Sequence, residues 1–161
     1  MSEYLESLAE AKEELKRVDH LIYVSLKYTR TVDVIKSIVE RMINAFDCSI
    51  RAGLEYAKEK KKIKAIPANV VERCNVFLNL FKSEEYESLK DYVDFYILLR
   101  KIDRAHFERA REFRRHVTMT AFLEEGEIEI DIDIITEYYH KIRKFISIIE
   151  SIIYPPKDEN D

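Results

Sequence analysis

Chain breakers are almost absent from this sequence, and that scarcity limits the folds open to it. The 161 residues include only two glycines and three prolines. A fold rich in sheet needs many turns built from these residues, whereas long helices exclude both from their interiors. Because 47% of the residues are hydrophobic, the chain is also long and apolar enough to bury a core. The composition therefore predicts a helical protein.

Apolar residues that recur every three or four positions predict five helices. Capping residues and breakers set their limits: Ser2 to the segment KYTRT, Thr31 or Asp33 to about Lys62, Pro67 and Asn69 to Phe81, Ser83 to about Arg115, and Asp131 or Asp133 to Pro155. Gly53 inside the second helix predicts either close packing against a neighbouring helix, which we prefer, or a kink. We expect an all-α antiparallel bundle of four long helices and one short helix, as one domain over residues 1–154, with residues 155–161 as a disordered tail.

Residues 117–130 depart from the helical pattern. In the stretch HVTMTAFLEEGEIEIDID, apolar and polar side chains alternate on both sides of Glu124, Glu125 and Gly126. Alternation with a period of two, on either side of a short turn, predicts a small β-hairpin. An irregular acidic loop is the competing interpretation, and the pattern leaves both open.

The inventory of reactive residues disfavours several classes of site. Cys48 and Cys74 form no CxxC motif, so neither a zinc ribbon nor a dithiol redox site is expected. The four histidines are scattered without a matching HxxE or ExxH set, and there is no glycine-rich phosphate loop or nucleophile elbow. We therefore expect no metal ion and no cofactor.

The terminal and compositional patterns predict a cytoplasmic, soluble protein. The N-terminal residues alternate in charge without an apolar core of a signal peptide, and no run of eighteen apolar residues occurs. The absence of glutamine, together with twenty isoleucines and a surface rich in lysine and glutamate, is typical of heat-adapted organisms.

The segment RKIDRAHFERAREFRRHVTM, residues 100–119, concentrates positive charge in a chain whose net charge is −4. Nine of its twenty residues are Arg, Lys or His. As a continuation of the fourth helix, it would extend the inward apolar stripe from Leu99 through Ala110 to Phe113. Asp103 and His106 interrupt that stripe one turn apart and could satisfy each other. Their pairing is open to two interpretations, a hydrogen bond that fixes the helix register or a polar pocket in the bundle.

The remaining cations of this segment predict a surface that attracts a phosphate-bearing or acidic partner. The candidate RNA-binding residues are Arg104, Arg109, Arg111, Arg114 and Arg115 of this segment, together with the cluster of Lys60, Lys61 and Lys62 near the end of the second predicted helix. The lysines also suit the negative end of the second helix, which is the alternative explanation for that cluster.

Two motifs in this segment resemble a motif of the HEPN superfamily of small helical bundles. In many members of that superfamily, an Arg is followed by four to six residues and then a His. They are Arg100-KIDRA-His106 and Arg111-EFRR-His116, and the following IDIITEYYHKIRKFI resembles the helix after the motif. The resemblance implies a homodimer and metal-independent RNA cleavage. In that reaction Arg100 would hold the scissile phosphate, His106 would act as general acid or base, and Asp103 would orient His106. Arg111 and His116 are the reserve pair.

Three hypotheses follow for function. The preferred one is a non-catalytic homodimeric module that binds RNA or a ribonucleoprotein through the basic strip on the fourth helix. An active HEPN-type ribonuclease and an adaptor that contacts protein only are the alternatives. Homodimer formation is expected because five helices leave more apolar surface than they can bury.

Overall fold

The computed structural model describes residues 2–82 and 88–155 as a mostly helical fold with one small sheet. The elements in chain order are α1 (Glu3–His20), a π-helical turn (Leu21–Ser25), α2 (Leu26–Tyr28), α3 (Val32–Glu59), α4 (Val70–Leu80), α5 (Leu89–Arg104), β1 (His106–Ala110), β2 (Thr118–Leu123), β3 (Gly126–Ile130) and α6 (Ile132–Ile153). Because α1, the π-helical turn and α2 follow one another without a break, the chain shows the five predicted helical segments in the described ranges.

Capping side chains begin three of the helices as the sequence predicts. Thr31 accepts a hydrogen bond from the backbone N–H of Val34 at 3.4 Å, and Asp131 accepts one from Ile134 at 2.9 Å. Asn69 accepts from two backbone N–H groups at the start of α4. Of the two candidates at the last helix, Asp131 is therefore the cap. The predicted cap Ser83 lies outside the described residues.

The long helix α3 is the centre of the core. The ring of Phe46 on α3 lies within 5.7 Å of the rings of Phe95, Tyr96 and Phe145, measured between centroids. A Cβ atom on Gly53 would lie 3.0 Å from Cε2 of Phe77 on α4. The prediction that Gly53 marks close helix packing is confirmed.

A three-stranded antiparallel sheet covers one end of the helices, in the order β1-β2-β3. The β2–β3 pair, in which Met119 faces Ile130, confirms the predicted hairpin. Met119, Ala121 and Ile130 are fully buried in the same hydrophobic core as the helices. The expectation of an all-α fold is corrected accordingly: the chain is mostly helical, and a small sheet belongs to its core.

The fourth predicted helix is shorter than the sequence pattern indicates. It ends at Arg104 instead of about Arg115, and β1 begins at His106. The ammonium group of Lys36 on α3 donates hydrogen bonds to the backbone carbonyl and to the carboxylate of Asp103, the latter at 2.8 Å. Residues 106–110 then pair with β2. The tertiary contacts made by α3 and β2 therefore override the helical pattern of this segment.

The last helix α6 ends at Ile153, just before the predicted stop at Pro155. Residues 156–161 of the predicted tail lie outside the described residues. Within the described ranges, no helix combines the length and the apolar character that crossing a membrane requires.

Candidate nucleic-acid interface

The basic segment that the sequence places on one helix is divided among the end of α5, strand β1 and the connection to β2. We call residues Arg111–His116 of that connection the basic loop. Its sequence is REFRRH, and all of its members except the half-buried Glu112 are exposed. The loop therefore projects most of the segment's charge into solvent at the edge of the sheet.

Backbone hydrogen bonds fix the basic loop at both ends. The N–H of Phe113 donates to the carbonyl of Arg30 at 2.6 Å, and the N–H of Arg114 donates to the carbonyl of Arg111 at 3.2 Å. At the far end, the N–H of Val117 donates to the carbonyl of Arg114, and the Val117 side chain is fully buried. The bond from Phe113 to Arg30 holds the loop against the segment that joins α2 to α3.

Two residues of the basic loop adopt a backbone conformation that side chains other than glycine rarely tolerate. Arg111 has φ of 57° and Phe113 has φ of 65°. A left-handed conformation costs roughly 1–2 kcal/mol for a residue with a Cβ atom. This conformation leaves Phe113 77% exposed, although the sequence pattern placed it on an inward stripe. Because strained backbone conformations cluster at functional sites, the strained loop with its exposed Phe113 ring is a candidate functional site.

The neighbouring turn adds a second exposed aromatic residue and further positive charge. Tyr28, two residues before Arg30, is 80% exposed. Lys27 is exposed and Arg30 is half-buried, and the Nε atom of Arg30 is buried without a hydrogen-bond partner. The basic loop and this turn together form one surface, which we call the loop–turn surface.

The charges of the loop–turn surface are largely unpaired. Arg109, on β1, is engaged by Asp33 at 2.8 Å and by Glu112 at 3.4 Å, and the hydrogen bond to Asp33 raises the pKa of its guanidinium. Five other cations of this surface, Lys27, Arg30, Arg111, Arg114 and Arg115, form no ion pair with any residue in the described ranges. This surface is therefore strongly positive in a chain whose net charge is −4.

The three preferred catalytic candidates contact different parts of the fold. The guanidinium of Arg100 lies 5.8 Å from the centroid of the Tyr96 ring on the same helix. Asp103 pairs with Lys36 instead of His106. His106 is exposed at the start of β1, and its ring stacks at 6.1 Å on Phe122 of β2. The expected buried pair of Asp103 and His106 is wrong, because the helix ends between the two residues.

An open groove lies between the end of α5 and the β2–β3 turn. Lys101, Arg104 and Phe122 line it, and His106 stacks on the same Phe122. Glu125 also lines the groove and pairs with Lys101 at 2.6 Å. Arg104 and His106 therefore lie beside one aromatic ring, but nearby carboxylates offset part of the positive charge.

The remaining predicted residues occupy two other places. Arg111 and His116, the reserve pair, are both in the exposed basic loop. Lys60, Lys61 and Lys62 follow the end of α3, where Lys61 has φ of 61° and its N–H donates to the carbonyl of Lys58. The 28 residues of α3 span about 42 Å, and Asp33, the partner of Arg109, lies at the other end. The lysine cluster and the basic loop thus belong to opposite ends of the fold.

Sequence reasoning missed Lys27, Tyr28, Arg30 and the exposure of Phe113. The segment KYTRT was recognised as a break between helices, but its proximity to the basic loop depends on the Phe113–Arg30 hydrogen bond. The one local signal was an aromatic residue within a run of arginines, a combination typical of nucleic-acid-binding surfaces.

Comparisons with protein-family models, curated proteins and solved structures find no match to this chain. In the described part of the chain, no three His, Cys, Asp or Glu side chains are grouped so that they could hold a metal ion.

Proposed function

We propose that this protein is a non-catalytic module that binds single-stranded RNA, alone or within a ribonucleoprotein, through the loop–turn surface. The observation that carries the proposal is the position of Tyr28 and Phe113. At 80% and 77% exposure they are the most exposed large hydrophobic side chains in the described ranges, and they stand among unpaired cations.

The chemistry of this surface suits an unpaired strand. Guanidinium groups bind phosphates, while an exposed aromatic ring stacks on bases that are not held in a duplex. Stacking tolerates any base, and phosphate contacts carry no sequence information. The proposal therefore expects weak sequence preference and strong dependence on salt.

Fluorescence anisotropy with a labelled 20-nucleotide single-stranded RNA at low salt tests the proposal. Phe113→Ala should weaken binding by about 1–3 kcal/mol, as expected for the loss of one stacked base. Tyr154→Ala is the matched control, because Tyr154 is 56% exposed and follows α6 at the opposite end of the fold. An equal effect of both substitutions, or no binding by the wild-type protein, would refute the proposal.

A double variant and a matched control test the contribution of the charged side chains on this surface. Arg114→Ala combined with Arg115→Ala should weaken RNA binding and reduce the slope of the salt dependence, since fewer counterions are released. Arg143→Ala combined with Lys144→Ala, on the exposed face of α6, removes the same charge elsewhere. The control pair should leave the slope unchanged.

The same samples, run on a denaturing gel, separate binding from catalysis. The proposal expects the RNA to remain intact. Cleavage that disappears in His106→Ala or His116→Ala would overturn the non-catalytic proposal in favour of a HEPN-type ribonuclease. Neither binding nor cleavage would leave the adaptor that contacts protein only.

We also propose that the protein works as a homodimer, as the resemblance to HEPN bundles implies. Tyr23 and Val24, in the π-helical turn, are 48% and 41% exposed and adjoin the loop–turn surface along the chain. A two-fold contact through this patch would place two loop–turn surfaces side by side. Light scattering should give twice 19.2 kDa for the wild type and for Val71→Glu, but the monomer mass for Val24→Glu. A monomeric wild type would contradict the dimer.

A further inference from the structure

A small pocket lies between α3, α4 and α5, away from the basic loop. Asp47 and Arg51 of α3, Arg73 in the first turn of α4 and Tyr96 of α5 form its polar wall, and Ile66 from the α3–α4 connection closes one side. The enclosed space is about 30 Å³, room for one small polar group. Three helices thus contribute polar side chains to one enclosed space.

A third arginine approaches the same place. The guanidinium of Arg100 lies 5.8 Å from the Tyr96 ring. The buried thiol of Cys74 also lines the pocket. Burial raises the pKa of this thiol and the charge of Asp47 raises it further, whereas the positive charges of Arg73 and Arg100 lower it. Arg73 and Asp47 thus line the pocket, and Arg100 lies beside Tyr96, which also lines it.

Among the residues that line the pocket and Arg100 beside it, the arginines outnumber the carboxylates three to one. Its one carboxylate, Asp47, accepts a hydrogen bond from the hydroxyl of Tyr96. Neither Asp47 nor any of Arg51, Arg73 and Arg100 forms an ion pair within the described ranges. Like charges that converge without a partner repel one another unless an anion joins them.

We infer that this pocket binds a phosphate dianion, either free or as the head group of a small phosphomonoester. Guanidinium groups bind phosphate through paired, charge-assisted hydrogen bonds, and a dianion offsets the surplus that two of the three arginines create. Ile50, Ile66 and Val70 line the rest of the pocket and offer an apolar wall for the organic part of an ester. The pocket is distinct from the loop–turn surface, so the phosphate-binding and RNA-binding proposals can be refuted independently.

Calorimetric titration of the full chain with three probes tests the inference and separates the two sources of phosphate. Inorganic phosphate and phenyl phosphate should both bind, whereas phenol should not. Tighter binding of phenyl phosphate identifies a phosphomonoester site, and equal or tighter binding of inorganic phosphate identifies a site for the free ion. If neither phosphate compound binds, and neither raises the unfolding temperature relative to chloride at equal ionic strength, the inference is wrong.

Substitutions of the arginines test whether phosphate binds in this pocket. Arg73→Gln and, separately, Arg51→Gln should each weaken phosphate binding about 10- to 100-fold, as expected for losing a hydrogen bond to a charged group. Arg143→Gln, an exposed arginine on α6, should leave it unchanged. Circular dichroism verifies that each variant folds. Binding that persists at full strength in both pocket variants would overturn the assignment.

Discussion

At the scale of single residues, Lys36 shows how one side chain limits a helix. Its ammonium group reaches from α3 to the last turn of α5, where it binds both the backbone carbonyl and the carboxylate of Asp103. The lysine side chain is 20% exposed and that of Asp103 is 33% exposed, so the pair is largely shielded from water. This contact lies directly before the transition from α5 to β1.

Lys36→Met should therefore destabilise the protein by about 1–3 kcal/mol, because a half-buried carboxylate and a helix-terminal carbonyl lose their charged partner. Lys90→Met is the matched control: Lys90 pairs with Asp94 at 3.0 Å on the exposed surface, and its loss should cost no more than about 0.5 kcal/mol. Urea unfolding measures both. Equal effects would mean that the Lys36 contact is dispensable.

Cys48 predicts a second effect at the residue scale, on stability in alkaline solution. Burial, reinforced by Glu10, raises the pKa of its thiol from 9.0 to about 11. Between these values the unfolded chain loses the proton while the folded chain keeps it, so stability falls as pH rises. Cys48→Ala should show a shallower decline in unfolding free energy from pH 9 to pH 11 than the wild type. Parallel curves for the two proteins would contradict this account.

At the scale of elements, helices were predictable and the first strand was not. The limits of α3, α4 and α6 followed from Thr31, Asn69 and Asp131, whose capping roles depend on residues only two or three positions away. Strand β1 contains arginine, glutamate and alanine, which favour helices when no tertiary contacts intervene. Strand formation there depends on pairing with β2, in which His106 faces Phe122 across sixteen positions of sequence.

The candidate site also combines a feature that local sequence predicts with one that tertiary contacts determine. The run of arginines predicts its positive charge, but not the arrangement of its side chains. Phe113 fits an inward helical stripe by spacing, and it is exposed because a left-handed loop replaces the helix. Tyr28 joins the surface through a backbone bond between Phe113 and Arg30, a contact that no local pattern encodes.

The close approach of α3 and α4 gives a prediction for Gly53. Alanine would gain about 1 kcal/mol of helix propensity, but its Cβ atom would lie 3.0 Å from the fully buried ring of Phe77. Because Phe77 packs against Phe81 and Phe145, it has little room to move, and Gly53→Ala should be destabilising by about 1 kcal/mol overall. In a Phe77→Leu background the same substitution should cost less. A net stabilisation in the wild-type background would contradict this packing account.

At the scale of the whole molecule, the positive charge is distributed between the two ends of α3. The loop–turn surface adjoins the N-terminal end, and the lysine cluster follows the C-terminal end, about 42 Å away. A four-nucleotide strand spans about 27 Å even when it is extended to roughly twice the duplex stacking rise of 3.4 Å per nucleotide. Such an RNA cannot contact both regions of one protomer.

Replacing Lys60, Lys61 and Lys62 together by alanine should therefore leave the affinity for a four-nucleotide RNA nearly unchanged. The same substitutions should weaken binding of a 20-nucleotide RNA by a modest, salt-dependent factor, because a longer strand can extend toward the second region. Anisotropy titrations of both RNAs provide the measurement. A large loss with the short RNA would place the primary contact at the lysine cluster.

Residue-resolved NMR during titration with a short single-stranded RNA tests the central claim most directly. The account predicts that the amide signals of residues 28–31 and 111–116 shift first and saturate together, while those of residues 58–64 remain in place. Shifts confined to the lysine cluster or to the α5–hairpin groove, or no shifts at all, would contradict the claim that the exposed aromatic and basic loop binds RNA.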